Sequence, residues 1–204
     1  LENINMSDHR IKKRFDGLLP IVVDLETGGV NYQTDALLEL AAISLAFNAD
    51  NKLGCKATYS CHIEPFEGAH IDPKALEINH IDPYHPFRFA ISEESALVQL
   101  FDFINKELEA SDCKRAVLVG HNAHFDLYFL HAAVKRCQLK NPFHSFTVFD
   151  TATLGGIIYG KTVLARAIKA AKIPYDREKA HSAIYDTEIT AALFCDIINQ
   201  LPPL

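Results

Sequence analysis

Asp24 and Glu26 stand two residues apart in Pro20-Ile21-Val22-Val23-Asp24-Leu25-Glu26, a short apolar run closed by Thr27-Gly28-Gly29. Its β-branched content and flanking turn signals read as a buried strand. On a strand, residues two apart leave the same face. Burying two unpaired carboxylates would cost several kcal/mol, a cost offset if they hold cations. Oxygen-only ligands favour Mg²⁺ or Mn²⁺. A strand end reaching solvent would explain the same pair, and these two residues alone leave the choice open. Asp126 closes Val119-Gly120-His121-Asn122-Ala123-His124-Phe125-Asp126, where an apolar strand turns into a helix. That puts Asp126 near the C-terminal edge of a sheet, although an acid in a helix's first turn commonly serves the helix dipole. Asp186 closes Ala180-His181-Ser182-Ala183-Ile184-Tyr185-Asp186. Ser182 reads as the cap of the last helix, with Asp186 about one turn inside and His181 on the loop before it. A lone histidine there is usually structural or solvated; its combination with the acids is what points to chemistry. His121 and His124 form an HxxH pair, but no second pair with zinc-finger spacing accompanies it.

These groups need a sheet to bring them together. Leu19 to Leu25 is expected as a first strand, Leu37 to Phe47 as a second and Lys56 to Ile63 as a third, after a turn over Ala49 to Gly54. Such short connections make an antiparallel meander. A stretch punctuated by Pro65, Pro73, Pro83 and Pro86 has room for one short helix around Ala75 to Ile78. Ser92 is expected to cap a strong helix whose Leu97, Leu100, Phe101, Ile104 and Leu108 share a face. Ala116 to Val119 and Phe146 to Phe149 read as further strands, separated by a helix from about Ala123 to Cys137. Helices over Thr151 to Ile158, Val163 to Ala171 and Ser182 to Asn199 complete the chain. The start is polar and often basic, with Ile11, Phe15 and Leu18 at helical spacing. Residues 1–18 are therefore expected as a basic arm or short helix ahead of one domain over 19–204. The predicted fold is α/β: a mixed five-stranded sheet, antiparallel meander then parallel strands, flanked by helices in the ribonuclease H-like arrangement.

The 204 residues are 49% hydrophobic, enough for one sizeable core. No apolar run approaches the roughly 18 residues of a membrane span, and no signal-peptide pattern opens the chain. Cys55, Cys61, Cys113, Cys137 and Cys195 are odd in number and lack CxxC spacing, which argues for a reducing cytoplasm and against a disulfide framework. Met6 is the first methionine, so Leu1 to Asn5 are expected to be a remnant foreign to the natural chain. A net charge of −6 at pH 7 argues against a protein that coats nucleic acid non-specifically. It does not argue against a nuclease, whose cation site is acidic and whose phosphate footprint can be local.

Together the three motifs resemble those of the DEDD superfamily of 3′→5′ exonucleases: Asp24-Leu25-Glu26-Thr27, His121-Asn122-Ala123-His124-Phe125-Asp126 and His181-Ser182-Ala183-Ile184-Tyr185-Asp186. His181 precedes Asp186 by five residues, the pattern of the DEDDh branch. The tyrosine branch would use the position of Ser182, and Tyr185 is out of register with it. Asp35-Ala36-Leu37-Leu38-Glu39, His62-Ile63-Glu64-Pro65-Phe66, Asn141-Pro142-Phe143-His144 and Phe149-Asp150-Thr151-Ala152 are similar to the ribonuclease T subfamily. The resemblance, over nearly the whole chain, implies a homodimer that trims the 3′ ends of tRNA and other stable RNAs and releases nucleoside 5′-monophosphates. It implies two Mg²⁺ per active site, with Mn²⁺ as a substitute, roughly 4 Å apart. Asp24 would lie between them, Glu26 and Asp186 on the nucleophile side and Asp126 on the other. His181 would take the proton of the attacking water, a role suited to imidazole at cellular pH. Phe125 and Phe146 match base-stacking positions, and Thr27 and Asn122 match further substrate contacts. Val30 and Ile78 occupy two positions that are aromatic in the family, which predicts a weaker terminal-base preference. Arg14, Arg115 and Lys140 match a phosphate-binding patch that serves the opposite subunit; Lys12 and Lys13 would add to it, and Asp16 would weaken it. Asp150 is read as a supporting acid behind the site.

A DEDDh exonuclease acting mainly on single-stranded DNA 3′ ends, or on short oligoribonucleotides, would carry the same motifs. The ribonuclease T-like stretches favour RNA ends, with single-stranded DNA as a secondary substrate. A non-catalytic module on a nuclease fold would be expected to have lost some of these groups, and all five stand here.

Overall fold

The computed structural model describes residues 8–202; residues 1–7, including the expected remnant Leu1 to Asn5, lie outside the described residues. The sheet runs β3-β2-β1-β4-β5, built from β1 (Leu18–Thr27), β2 (Leu37–Phe47), β3 (Leu53–His62), β4 (Arg115–Gly120) and β5 (Phe143–Asp150). β1, β2 and β3 pair antiparallel, whereas β4 lies parallel to β1 and β5 parallel to β4. This is the expected mixed sheet. α3 (Glu93–Ser111) and α4 (His124–Cys137) pack on one face of it. α7 (Ala183–Gln200), joined by α5 (Thr151–Tyr159) and α6 (Leu164–Ala170), packs on the other. Ile21, Val22 and Val23 are fully buried because both faces of β1 are covered, which is why β1 reads as a continuous apolar run.

α1 (Asp8–Arg14) forms where the helical spacing lay, and its Ile11 joins Phe15 in the same core as the sheet. Phe15 meets the rings of Phe149 and Phe194 at 5.5 and 6.1 Å. α2 (Pro73–Asn79) is capped by Asp72, which accepts from the Lys74 N–H, with Pro73 opening the helix. Ser92 caps α3 as expected, accepting from the Ser95 N–H at 3.2 Å. At α7 the expectation needs correcting. Ser182 occupies the cap position but makes no side-chain cap bond. The Asp186 carboxylate instead accepts from the His181 N–H, one residue further out.

Two strands begin three residues earlier than expected. β3 starts at Leu53, whose N–H donates to the Asn199 side chain and whose carbonyl accepts from it. β5 starts at Phe143, paired with Ala116 before a register jump to Leu118↔Val148. The last β1–β4 pair is Val22↔Val119, so the end of β1 runs on past β4. The sheet changes from antiparallel to parallel there, and a crevice opens outside the strand ends. Among the described residues, no helix is long and apolar enough to cross a membrane.

Candidate active site

The projecting end of β1 carries Asp24 and Glu26. α4 rises from the end of β4 and delivers Asp126. α7 begins at the same end and delivers Asp186, with His181 on the loop before it. Gly120 suits the close β4–α4 junction: a Cβ there would sit 3.1 Å from the Ala123 Cα and 3.3 Å from Asp126 Oδ2. A carboxylate oxygen of Glu26, one of Asp186 and a ring nitrogen of His181 lie within 4.8 Å of one another. The His181 backbone is left-handed at φ 66°, and its N–H donates to Asp186 Oδ2 at 2.9 Å.

The acids disturb one another as a crowded group must. Desolvation pushes Asp24 well above the usual carboxylate range, and repulsion from Asp126, Glu26, Asp186 and Glu39 adds to it. Burial, then Asp186 and Glu39, raises Glu26 to about 7, against a hydrogen bond from Asn79. Burial raises Asp126 to about 8 despite backbone N–H bonds from its own residue and Leu25. Asp186 is also raised by burial, with the His181 contacts opposing. A folded site that charges its own acids at such cost suits a bound cation, which reverses the electrostatic balance. The donor set is oxygen-rich, lacks thiolates and includes one imidazole at its rim, so Asp24, Glu26, Asp126 and Asp186 fit Mg²⁺ or Mn²⁺.

Two contributors escaped the sequence reading. Glu39 lies directly across the β1–β2 ladder from Glu26, an unfavourable pairing for like charges. It is held by His62 Nδ1 at 2.9 Å and receives the Ala183 N–H. The visible signal was an acid inside the apolar β2 run. Asn79, buried at the end of α2, donates to the Thr27 carbonyl at 3.1 Å and steadies Glu26.

The other expected residues divide into two groups. Thr27 and Phe125 line a cleft of about 300 Å³ with Glu26, Val30, Ile78 and Asn79. The Thr27 hydroxyl donates to the Gly29 carbonyl, and Phe125 leans on Phe129 at 4.9 Å. Val30, 84% exposed, and Ile78 leave the cleft with a single aromatic wall. Asn122 holds the β4–α4 turn, its N–H donating to Asp150 Oδ1 at 2.8 Å. Asp150 also caps α5; burial would raise it, but bonds from Thr153, Ala152 and Asn122 hold it below the usual range. His121 bonds Thr151 and the Thr162 carbonyl, each at 3.0 Å, which spends both ring nitrogens on structure. Tyr185 accepts from the Asp176 N–H and stacks on Tyr175, turned to other partners.

The second group does not join the cleft. Phe146 is 72% exposed on edge strand β5, with its ring against His144. Arg115 opens β4, at the opposite end from Gly120 and so about 17 Å away along the strand. Lys140 precedes β5 on that side. Arg14 ends α1 and donates to the Pro202 carbonyl at 2.8 Å. Lys12 forms an exposed ion pair with Asp112.

Residues 21–194 match the RNase T family, described as exonuclease. The chain is 54% identical over 192 residues to ribonuclease T of Vibrio campbellii, covering 93% of this chain and 90% of that protein. It is 52% identical to ribonuclease T of Vibrio cholerae over the same length, covering 86% of that protein. In three dimensions it resembles E. coli exonuclease I in complex with a dT13 oligonucleotide, with a TM-score of 0.67 and 16% identity. That match covers 87% of this chain and 40% of the other. The zinc-bound form of the E. coli exonuclease I–ssDNA complex gives a TM-score of 0.69 at 17% identity, over 91% of this chain and 41% of the other. The structural likeness carries the fold; sequence and motifs together carry the assignment, and the chain belongs to the RNase T family of exonucleases.

Proposed function

We propose that this 3′→5′ exoribonuclease trims the 3′ ends of tRNA and other stable RNAs as a cytoplasmic homodimer, releasing nucleoside 5′-monophosphates by two-metal hydrolysis. The observation that carries the reading is the convergence of Asp24, Glu26, Asp126 and Asp186 with His181 at one mouth of the sheet. The four carboxylates would hold two Mg²⁺, with Mn²⁺ substituting. When bound, these cations supply Lewis acidity and neutralise charge at the scissile phosphate. His181 accepts the proton of the attacking water, with its loop tied to Asp186 by the backbone bond. Glu39 and Asn79 keep Glu26 in place. Phe125 gives the terminal nucleotide one face to stack on. The position of Arg115 and Lys140 at the far end of the parallel strands supports a patch that reaches the opposite subunit's substrate. The odd cysteine count and the lack of CxxC spacing support a reducing compartment.

Incubating the protein with mixed cellular RNA and sequencing the 3′ ends tests this. Shortened tRNA and other stable RNAs are expected with Mg²⁺, and unchanged ends with chelator. Trimming of DNA alone, or of short oligomers alone, would move the assignment to another DEDDh activity.

The cleft also makes a quantitative statement about base preference. Stacking contributes roughly 1–3 kcal/mol per base, and the walls at Val30 and Ile78 offer none of it. Oligoribonucleotides ending in C and in A should therefore be trimmed at rates within about threefold. Ile78→Phe should lower KM by roughly tenfold. A strong C-versus-A bias in the parent protein would contradict this account of the cleft.

A further inference from the structure

The cleft at the carboxylates does not end at Phe125. The two elements that wall it also line a second groove of about 620 Å³, formed by Tyr32, Tyr128, His131 and Lys135 among others. One wall is the loop after β1, which gives Val30 to the cleft and Tyr32 to the groove. The other is α4, which gives Phe125 to the cleft and, one turn on, Tyr128 to the groove. Three residues along a helix are about 4.5 Å, so the two surfaces are neighbours along α4. We propose that Tyr32 and Tyr128 form a stacking platform, within the same subunit, for unpaired nucleotides that precede the terminal one in the substrate strand. The proposal rests on the exonuclease reading and names where the rest of that strand lies.

Four features point to nucleic acid as the occupant. The Tyr32 and Tyr128 rings are both exposed, with centroids 5.5 Å apart and planes tilted by 43°. His124 adds a third ring 5.8 Å from Tyr128. Successive bases stack on such aromatic faces whatever their sequence. The charge also fits. In a chain of net charge −6, no carboxylate lines this groove, and exposed Lys135 has no ion-pair partner among the described residues. Arg136 is held by Glu93 and lies over the Phe66 ring, which makes it a fixed wall. The Tyr32 loop is set before any ligand arrives: Asp35 accepts from the Asn31 N–H at 2.9 Å and from the Thr34 hydroxyl at 2.8 Å, and meets His70 Nδ1 at 3.0 Å. Preorganisation of this kind lowers the ordering cost of binding. The platform also sits beside the positions where the cleft lacks rings, so grip missing at the last base is recovered further along.

Steady-state kinetics with a dinucleotide and a single-stranded heptanucleotide of RNA test the assignment. For Tyr32→Ala/Tyr128→Ala, KM on the heptanucleotide is expected to rise roughly tenfold with kcat within about twofold of the parent. The dinucleotide, too short to reach the groove, should show unchanged kcat/KM. Tyr128→Phe should retain the parent KM, because the ring face and not the hydroxyl does the stacking. An unchanged KM on the heptanucleotide, or an equal loss on both substrates, overturns the proposal. So does a double variant whose sedimentation shows a lost dimer, since the groove would then be an interface between copies. A parent that trims neither oligomer overturns the functional reading itself, whereas a parent that trims both while the variants match it overturns the platform alone.

Discussion

Replacing Asp24 with asparagine is expected to lower the nuclease rate by a factor on the order of 10⁴, the scale on which residues acting as a unit fail together, while the metal-free protein becomes more stable above neutral pH. The two effects share one cause. Asp24 lies at the centre of the group, repelled by Asp126, Glu26, Asp186 and Glu39. The asparagine side chain has nearly the same shape but carries no charge, so it can neither repel its neighbours nor hold a cation as strongly. The pH dependence has a definite sign. Glu26 at about 7 and Asp126 at about 8 lie above their unfolded values of 4.5 and 3.8. Between those limits the folded state binds more protons than the unfolded chain, so stability falls as pH rises from about 4 to about 8. The metal-free parent should lose stability across that window, and Mg²⁺ should restore it at the alkaline end. In Asp24→Asn the slope should flatten, with a higher Tm than the parent near pH 8. Melting curves with chelator and with Mg²⁺ at about pH 5 and about pH 8 provide the check. Activity within tenfold of the parent, or a variant no more stable than the parent at pH 8, would sink the account.

What could be read from the chain before its structure follows from the range of each force. The alternation of a strand puts Asp24 and Glu26 on one face, and the apolar runs around them mark the sheet. Both are local properties, and β2 accordingly begins and ends where it was expected. Glu39 was not legible as part of the site, because only the β1–β2 register sets it across from Glu26. The start of β3 depends on Asn199, 146 residues further along the chain, whose side chain bonds Leu53 in both directions. The β5 start hides behind a register jump that no alternation pattern encodes. Ser182 is instructive in the opposite sense. Its type and position announce a cap, yet the bond that orders the start of α7 comes from Asp186 to the His181 backbone. The carboxylate thus acts at the helix start as well as among the acids, and this ties the His181 loop to the acidic group.

That tie leads to the second large effect. His181→Asn is expected to reduce kcat by roughly 10²–10⁴, the usual contribution of a positioned general base, with KM little changed. Asparagine is chosen for the backbone. Position 181 sits at φ 66°, a left-handed conformation that asparagine adopts more readily than most residues. The main-chain N–H that donates to Asp186 Oδ2 survives the substitution. The variant would therefore keep the loop and the carboxylate where they are and lose only the proton acceptor. A histidine whose role was to hold the loop predicts the opposite: near-normal kcat after the same substitution, because the backbone bond persists. Added imidazole separates the two further. If the missing function is proton transfer, free imidazole should recover part of kcat in His181→Ala, and it should do nothing for Asp24→Asn, which lacks one of the clustered carboxylates. Full kcat in His181→Asn, or equal rescue of both variants, would remove His181 from the proton-transfer step and leave the carboxylates alone to account for the chemistry.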